Sequence, residues 1–449
     1  MKTNSLKIRI CVFLTLFAAT FGFAQKQNGI QSFTLKQAID YSVNNSYKNR
    51  GAALDVKSTI AQRRGFISIG LPQANASAAY QNYISIPVQI IPNFIDSRLP
   101  DMELKFGKYN NMTVGANASQ LIFDGTFVVG LKAAAMMVDM SKLSMDKSII
   151  ETKTTVAQAY ILVLIARENL RILDSTYINM SEILEQNKQI QKNGFMDETD
   201  IEQLTLNVSN LKSKKEMTAQ NILLVTDLLK FQMGININDS IILSDKLSTI
   251  IDQAVAANII DKKFDVNMHF DYKLVKSAEM LQQQVVKVDY SRYYPSMNLI
   301  FSTSSNTPRD KFDFFNSGKW YNTTLVGVNL SVPIWSSGIR HYKIQQDKFI
   351  LEKQKITTKQ VEEGLQIDVQ NSKLALKMYT DQFYTDKKNL ELSGKIYKKT
   401  LVKYREGLSS SMDLNQAYLQ MLTQEGNYIN TMMQLLNNYT NLSKALNTF

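Results

Sequence analysis

Four stretches of this chain alternate apolar with polar or small residues and contain no charged side chain. They constrain the fold more than any other feature. Charged residues make up 20% of the whole chain, so charge-free windows that recur at matching places are informative. Strict alternation predicts β-strands with one apolar and one polar face. The polar positions carry Asn, Ser, Gln and Gly rather than Lys or Glu, which is typical of strands that cross a bilayer. The stretches are residues 65–95, 109–123, 293–308 and 320–339.

The strands occur in two pairs because the chain is a duplicated unit. The segment VGANASQLIFDG (114–125) aligns with VGVNLSVPIWSSG (326–338). Upstream, LPQANASAAY (71–80) aligns with YPSMNLIFST (294–303), and downstream KNGFMDETDIEQL (192–204) aligns with REGLSSSMDLNQA (405–417). Three matches in the same order predict a repeat of helix, strand, strand, long helix, turn and helix.

Long helices are expected between the strand pairs. Apolar side chains recur at steps of three, four or seven in residues 126–192, which lack proline, and in 339–404. This narrow apolar seam is typical of coiled-coil packing. At 1.5 Å per residue each helix is on the order of 100 Å long, far longer than a globular helix. Further helices are expected at about 34–70, 196–233 and 409–447.

Residues 1–24 are predicted to be a secretory signal peptide, since a basic start is followed by an apolar run and a small-residue cleavage site. The single cysteine, Cys11, lies inside it, so the mature chain is expected to lack thiols and disulfides. No later run is expected to cross a membrane as a helix. The predicted organisation is a first repeat (25–234, strands about 72–91 and 109–124), an inter-repeat segment (235–270) and a second repeat (271–449, strands about 295–305 and 320–335).

An open four-stranded sheet cannot remain in lipid, because its edge strands would leave backbone N–H and C=O groups unpaired. The sequence therefore predicts a barrel closed with copies of the same chain. Alternation divides the last strand into two faces. Val326, Val328, Leu330, Val332 and Ile334 are expected to face lipid, and Gly327, Asn329 and Ser331 a water-filled pore. An aromatic girdle is expected from Tyr109, Phe123, Trp320 and Trp335.

The sequence contains no catalytic constellation, so an enzyme is not expected. The only histidines, His269 and His341, are far apart, which disfavours a histidine-based metal site or catalytic triad. No phosphate-binding glycine loop is present, and neither a metal nor another cofactor is predicted. The densest basic cluster, at 395–405, has helical spacing and favours a solvated face over a nucleic-acid site.

At this point the chain resembles the TolC family of outer-membrane efflux and secretion channels, from FTLKQAIDYSVNNS (33–46) to NYTNLSKALNTF (438–449). The resemblance implies a mixed α and β membrane protein in which three chains form a homotrimer. Each chain would give four strands to a twelve-stranded β-barrel, continued by a long periplasmic α-helical barrel with residues 235–270 at its equator. The channel would lie in the outer membrane of a Gram-negative bacterium.

The resemblance also implies a function. The channel would passively conduct substrates outwards from an inner-membrane pump of the RND or ABC type, joined through a periplasmic adaptor (membrane fusion) protein, in efflux or type I secretion. Two alternatives remain: a secreted trimeric coiled-coil adhesin or scaffold without conduction, and a general diffusion porin. The adhesin does not explain paired charge-free strands, and the porin does not explain the long helices.

The family places its closed entrance at the periplasmic helical turns. Gly194 and Gly407 would end the long helices there. Family members often carry two aspartates in rings that narrow the entrance. Asp413 matches the first of these aspartates, and Gln416 occupies the place of the second.

Family members of the best-known type also hold the entrance shut by an aspartate bonded to a tyrosine and an arginine. Asp200 and Tyr404 match this latch, Ser409 stands where the arginine would be, and Arg405 is a candidate substitute. A plainer interpretation stays open. Asp200 and Asp413 would then only favour helix starts, and Tyr404 would only pack.

Overall fold

The structure is a computed structural model that describes residues 31–92, 101–193, 196–316 and 318–448. The predicted signal peptide and Gly194 lie outside the described residues. The helices are α1 (Leu35–Asn45), α2 (Tyr47–Ser68), α3 (Gly125–Lys192), α4 (Glu198–Met233), α5 (Leu247–Ala256), α6 (Phe270–Ser291), α7 (Ile339–Arg405) and α8 (Ser411–Ala445). The strands are β1 (Gln31–Phe33), β2 (Gln73–Asn82), β3 (Val88–Ile91), β4 (Met102–Lys105), β5 (Asn110–Asp124), β6 (Ile241–Leu243), β7 (Ser296–Arg309) and β8 (Tyr321–Ser331).

The chain forms two compact units. Within the described residues, the first unit comprises residues 31–47, Thr155–Ala257 and Tyr379–Asn437, and the second comprises Lys48–Thr154, Asn258–Met378 and residues 438–448. Both helices and strands contribute, so the predicted mixed α and β class is confirmed.

The second unit contains an antiparallel sheet with the strand order β2-β5-β7-β8. The β7–β8 hairpin of the second repeat therefore lies directly beside β5 of the first repeat. Leu121 and Phe123 flank a register shift in β5. Among the described residues, the outer edges of β2 and β8 have no strand partner.

The register of the sheet sorts its side chains into two faces. Asn117 lies opposite Asn75 and Ser302, and the Ser302 hydroxyl donates to Asn117 Oδ1 at 2.6 Å. Gly327 and Asn329 lie on this polar face. The opposite face carries Ala74, Ala118, Phe301 and Val326 in one cross-strand row, with Leu299 and Val328 in the next.

The structure corrects two predicted strands. The strand expected at 72–91 ends at Asn82, and β3 pairs with β4 rather than with β5. The alternating pattern continues, but β5 begins at Asn110 and Pro87 offers no backbone donor for a ladder. The strand expected at 320–335 ends at Ser331 for the same reason, since Pro333 follows. Val332 and Ile334 therefore lie beyond β8.

The helix predictions need two corrections. The single helix expected at 34–70 is broken at Ser46, whose ψ of 140° leaves the helical region, so α1 and α2 are separate. The sequence also predicted that no later segment is long and apolar enough to cross a membrane as a helix. By length and composition, one helix is. α3 contains an 18-residue window with a mean hydropathy of 1.4, but 61% of that window is buried inside the protein, as expected of a packed helix.

The first unit is held by a core between the long helices. Met180 and Leu184 of α3, Leu204 and Leu211 of α4, and Leu414 of α8 belong to one buried cluster. Its members are 8% exposed or less. The Tyr397 hydroxyl of α7 donates to Met180 Sδ at 3.1 Å within this core, and burial raises the pKa of Tyr397 to about 12.

Candidate functional site

The turn between α7 and α8 is built by Gly407. Its φ of +74° is a left-handed conformation that a glycine adopts without steric cost. The Gly407 amide donates to the Tyr404 carbonyl at 3.1 Å, and the Leu408 amide donates to the Lys403 carbonyl at 2.8 Å. This is a Schellman motif, so the last carbonyls of α7 are satisfied and the chain reverses sharply.

Asp413 restarts the helix on the other side of this turn. Its carboxylate accepts the Ser410 backbone amide at 3.0 Å, while the Ser410 hydroxyl accepts the Asp413 amide at 3.1 Å. The two residues form a capping box. Hydrogen bonds from Ser410 hold the pKa of Asp413 below its ordinary value. Ser409 also donates to this carboxylate, at 3.1 Å.

Asp200 joins the start of α4 to the turn between α7 and α8. Asp197, rather than Asp200, caps α4, accepting the Thr199 amide at 2.9 Å. The Asp200 carboxylate is therefore available for another contact, and it accepts a short hydrogen bond from the Ser411 hydroxyl.

Tyr404 and Arg405 bind to α3 instead of to Asp200. The Tyr404 hydroxyl accepts the Asn187 side-chain amide at 3.2 Å and lies 3.7 Å from Met196 Sδ. Arg405 Nη2 donates to Gln186 Oε1 at 3.3 Å. Burial first, and then the negative charge of Asp200, raise the pKa of Tyr404, so its hydroxyl stays protonated. Among the described residues, no hydrogen bond joins Asp200 to Tyr404.

These groups surround one cavity of about 610 Å³. The sequence prediction placed Asp200, Tyr404, Ser409 and Arg405 together, and all four line it. The two residues predicted for the constriction, Asp413 and Gln416, do not line the cavity, and both are exposed on α8. The other polar residues that line the cavity were not predicted from the sequence. The run of three serines before Asp413 was the visible signal for two of them, whereas nothing in the sequence marked the α3 amides. The missed residues are Gln186, Asn187, Ser410 and Ser411.

The aromatic residues proposed for a girdle lie at both ends of the sheet. Tyr109 and Trp320 immediately precede β5 and β8, and Phe123 lies in the last part of β5. Trp335 follows β8 and is 85% exposed. Within the described ranges, no group of three or more His, Cys, Asp or Glu side chains is arranged to hold a metal ion.

Solved structures share this fold over most of the chain. The CmeC outer membrane channel of Campylobacter jejuni matches with a TM-score of 0.70 and 17% identity, covering 92% of this chain and 85% of that chain. The outer membrane protein VceC of Vibrio cholerae matches with a TM-score of 0.68 and 13% identity, covering 92% and 95%. The open state of the Neisseria gonorrhoeae MtrE outer membrane channel gives 0.65 and 16%, covering 92% and 88%.

No curated relative matches the sequence. The model of the family described as "Outer membrane efflux protein" matches residues 70–223 and 276–448. These two spans correspond to the two repeats, so the predicted duplication is confirmed. The matches offer no support for an adhesin. With most of its length matched, the chain belongs to the outer membrane efflux protein family, whose members are channels of the Gram-negative outer membrane.

Proposed function

We propose that this channel serves an inner-membrane pump of the RND or ABC type, in contact with a periplasmic adaptor and with outer-membrane lipid. The coarser function is that of its family. The protein is an outer-membrane exit duct for efflux, and channels of this family are homotrimers that work with adaptors and inner-membrane pumps. The previously predicted TolC-like function is thus confirmed, and its specific partners stay a proposal.

The observation that best supports a trimeric duct is the open four-stranded sheet. β2 and β8 each present an unpaired edge in the described chain, while one face of the sheet carries the uncharged cross-strand rows Ala118–Phe301–Val326 and Leu299–Val328. Unpaired backbone groups are not tolerated in hydrocarbon, so the edges must pair with other copies. In our proposal β8 of one chain pairs with β2 of the next, Val326, Val328 and Leu330 face lipid, and Gly327, Asn329 and Ser331 face the pore.

Disulfide crosslinking tests this pairing. Because the only native cysteine is Cys11, pairs can be introduced cleanly after its replacement. One cysteine is placed at Ala76 on β2 and one is moved in turn along β8, and oxidation should yield covalent trimers at one or two positions. The control pair replaces Ala118 and Phe301, which are register partners within one chain, and it should stay monomeric. Efficient control crosslinking with no β2–β8 product would contradict the proposal.

We also propose that the periplasmic entrance is held closed by a neutral donor to Asp200, the Ser411 hydroxyl. What supports this is that Ser411 donates to Asp200, while Tyr404 and Arg405 contact Asn187 and Gln186. An arginine–aspartate latch would be an ion pair, which salt screens. A hydroxyl donor gives a contact that depends less on ionic strength. Asp413 and Gln416 would line the constriction, with one carboxylate ring instead of two.

A further inference from the structure

Two carboxyl groups meet in the seam between α6 and α7. Asp289 is 2% exposed and Asp347 is 3% exposed, and their side chains are within hydrogen-bonding contact of one another. Oδ2 of each residue is buried: that of Asp289 has no partner among the described residues, and that of Asp347 has only its ion pair with Lys343. Two ionised carboxylates have only acceptor oxygens, so such a contact stays unsatisfied and repulsive unless a proton lies between them.

The seam is continuous along both helices. Gln282 Nε2 of α6 donates to the Asp347 carbonyl at 3.3 Å, and Gln354 Nε2 of α7 donates to the Val275 carbonyl at 3.4 Å. The helices therefore run antiparallel. α6 leads into β7, and α7 follows β8, so the carboxyl pair links the two helices that carry the β7–β8 hairpin.

One cation is available to each carboxyl group. Arg292 Nε lies 3.0 Å from Asp289 Oδ1, and Lys343 Nζ lies 3.1 Å from Asp347 Oδ2. The side chains of these two cations are 53% and 41% exposed. The neighbouring Lys348 does not add to them, because it lies over the Tyr290 ring at 5.5 Å.

We infer that Asp289 and Asp347 share a single proton at neutral pH, and that this carboxylic acid–carboxylate hydrogen bond fastens α6 to α7 beneath the β7–β8 hairpin. Asp289 holds the proton and donates it to the Asp347 carboxylate. The proton satisfies Asp289 Oδ2, which has no other partner among the described residues, and the remaining negative charge faces Arg292 and Lys343.

The directions of the two pKa values agree with this assignment. Burial, and then Asp347, raise the pKa of Asp289. Burial also acts to raise the pKa of Asp347, but hydrogen bonds from Asp289 and Lys343 outweigh it and lower the value. A raised folded-state pKa gives stability that is present below the unfolded value and is lost as the pH rises through the folded value. The link should therefore weaken on the alkaline side of the Asp289 pKa.

The corresponding place in the first repeat has no such chemistry. There α2 and α3 carry the β2–β5 strand pair, and Phe66 stacks on Phe127 with ring centroids 5.6 Å apart. A Cβ on Gly130 would lie 2.7 Å from the Phe66 ring, so the contact is closely packed. The Phe66–Phe127 contact itself contains no titratable side chain, and it provides an internal control.

Infrared spectroscopy of the full-length protein in detergent tests the shared proton. The carbonyl band of a protonated carboxylic acid is followed from about pH 5 to about pH 9, a range in which ordinary Asp and Glu are ionised. All samples carry Glu425→Gln, because Glu425 has its own raised pKa. We expect one protonated carboxyl per chain at pH 7, lost in Asp289→Asn and in Asp347→Asn. Glu279→Gln, which removes another buried carboxylate of α6, should leave the band unchanged.

Hydrogen exchange gives a second readout that a plain packing contact would not move. Corrected for intrinsic rates, exchange at the α6–α7 junction should rise with pH in the parent protein and stay flat in Asp289→Asn, whose amide donates without a titrating proton. The α2–α3 junction should stay flat in both. If the band persists in both Asn variants, or if α6–α7 exchange has the same pH profile with and without Asp289, the shared proton does not exist.

Discussion

Gly234, at the end of α4, lies directly against Asn45 at the end of α1. Its φ is +75°, and a Cβ built on it would lie 2.2 Å from the Asn45 carbonyl oxygen. The Ile235 amide donates to the Lys230 carbonyl at 2.9 Å, which completes the end of the helix. Position 234 therefore requires glycine for two reasons: the backbone is left-handed, and a Cβ would clash with the Asn45 carbonyl.

We expect Gly234→Ala to lower the free energy of unfolding by well over 1 kcal/mol, since the left-handed conformation alone costs an L-residue roughly 1–2 kcal/mol. Gly407→Ala is the matched control. Its φ is nearly the same, but nothing lies within 4 Å of the added Cβ, so only the conformational cost applies. Thermal unfolding of both variants in detergent measures the difference. Equal losses would show that the contact with Asn45 adjusts freely.

A charge on the apolar face of β8 should destabilise the membrane form. Val328→Arg is expected to cost about 2–4 kcal/mol if the site lies near the middle of the bilayer. Asn329→Arg, one residue away on the opposite face, should fold normally and shift ion selectivity instead. The yield of assembled trimer and the reversal potential in planar bilayers test the pair. Two variants with the same assembly yield would argue against the assignment of the faces.

Removing the donor to Asp200 should open the entrance. Ser411→Ala is expected to raise the open probability about tenfold if the hydrogen bond is worth about 1.4 kcal/mol. Asp200→Ala should act similarly, and Tyr404→Phe less, because the tyrosine contacts Asn187 instead. Single-channel recording provides the measurement.

Ser409→Ala is the control for this experiment. It removes only one donor to Asp413, which keeps both hydrogen bonds from Ser410. Its open probability should therefore match that of the parent protein. The gating proposal fails if Ser411→Ala and Asp200→Ala record like Ser409→Ala.

Glu425 should make stability depend on pH near neutrality. Burial raises the pKa of Glu425 to about 7. The protonated carboxyl therefore contributes to the free energy of unfolding in full below about pH 4.5, and this contribution is lost as the pH rises through about 7. Glu425→Gln should therefore unfold at a higher temperature than the parent at pH 8, with little difference at pH 5.

Asp413→Asn should show the opposite dependence in the same helix. The pKa of Asp413 is lowered, so its contribution is present at neutral pH and lost on acidification. Melting curves at several pH values distinguish the two variants. If the melting temperatures of the two variants changed with pH in the same way, neither carboxyl group would titrate as its surroundings indicate.

Periodicity predicted the long helices well because each has a sustained apolar seam. The predicted 126–192 and 339–404 differ from α3 and α7 by a single residue at an end. Periodicity failed to predict the end of a strand where that end depends on the pairing partner. The pattern after Asn82 still alternates, but no β5 backbone lies opposite to receive it. The short β1–β6 pair was also not predicted, because a strand of three residues carries no periodic signal.

The candidate site was predictable only in part. The glycine and aspartate of each turn are local features, so Gly407 and Asp413 could be identified from the sequence. The partners of Tyr404 and Asp200 are set by how helices distant in the chain lie against one another. The same holds for Asp289 and Asp347, which occupy different helices and carry no shared motif.

The parallel pairing of β1 with β6 has a consequence for how the protein is made. Phe33 pairs with Leu243, the Leu35 amide donates to Asp245 Oδ2 at 2.6 Å, and the Tyr160 hydroxyl donates to the Phe33 carbonyl at 2.9 Å. Strand β1 therefore cannot make all of its contacts until the segment after the first repeat has been synthesised. Pairing over so long a separation is intrinsically slow. The N-terminal strand therefore cannot complete its contacts before β6 and Asp245 are present.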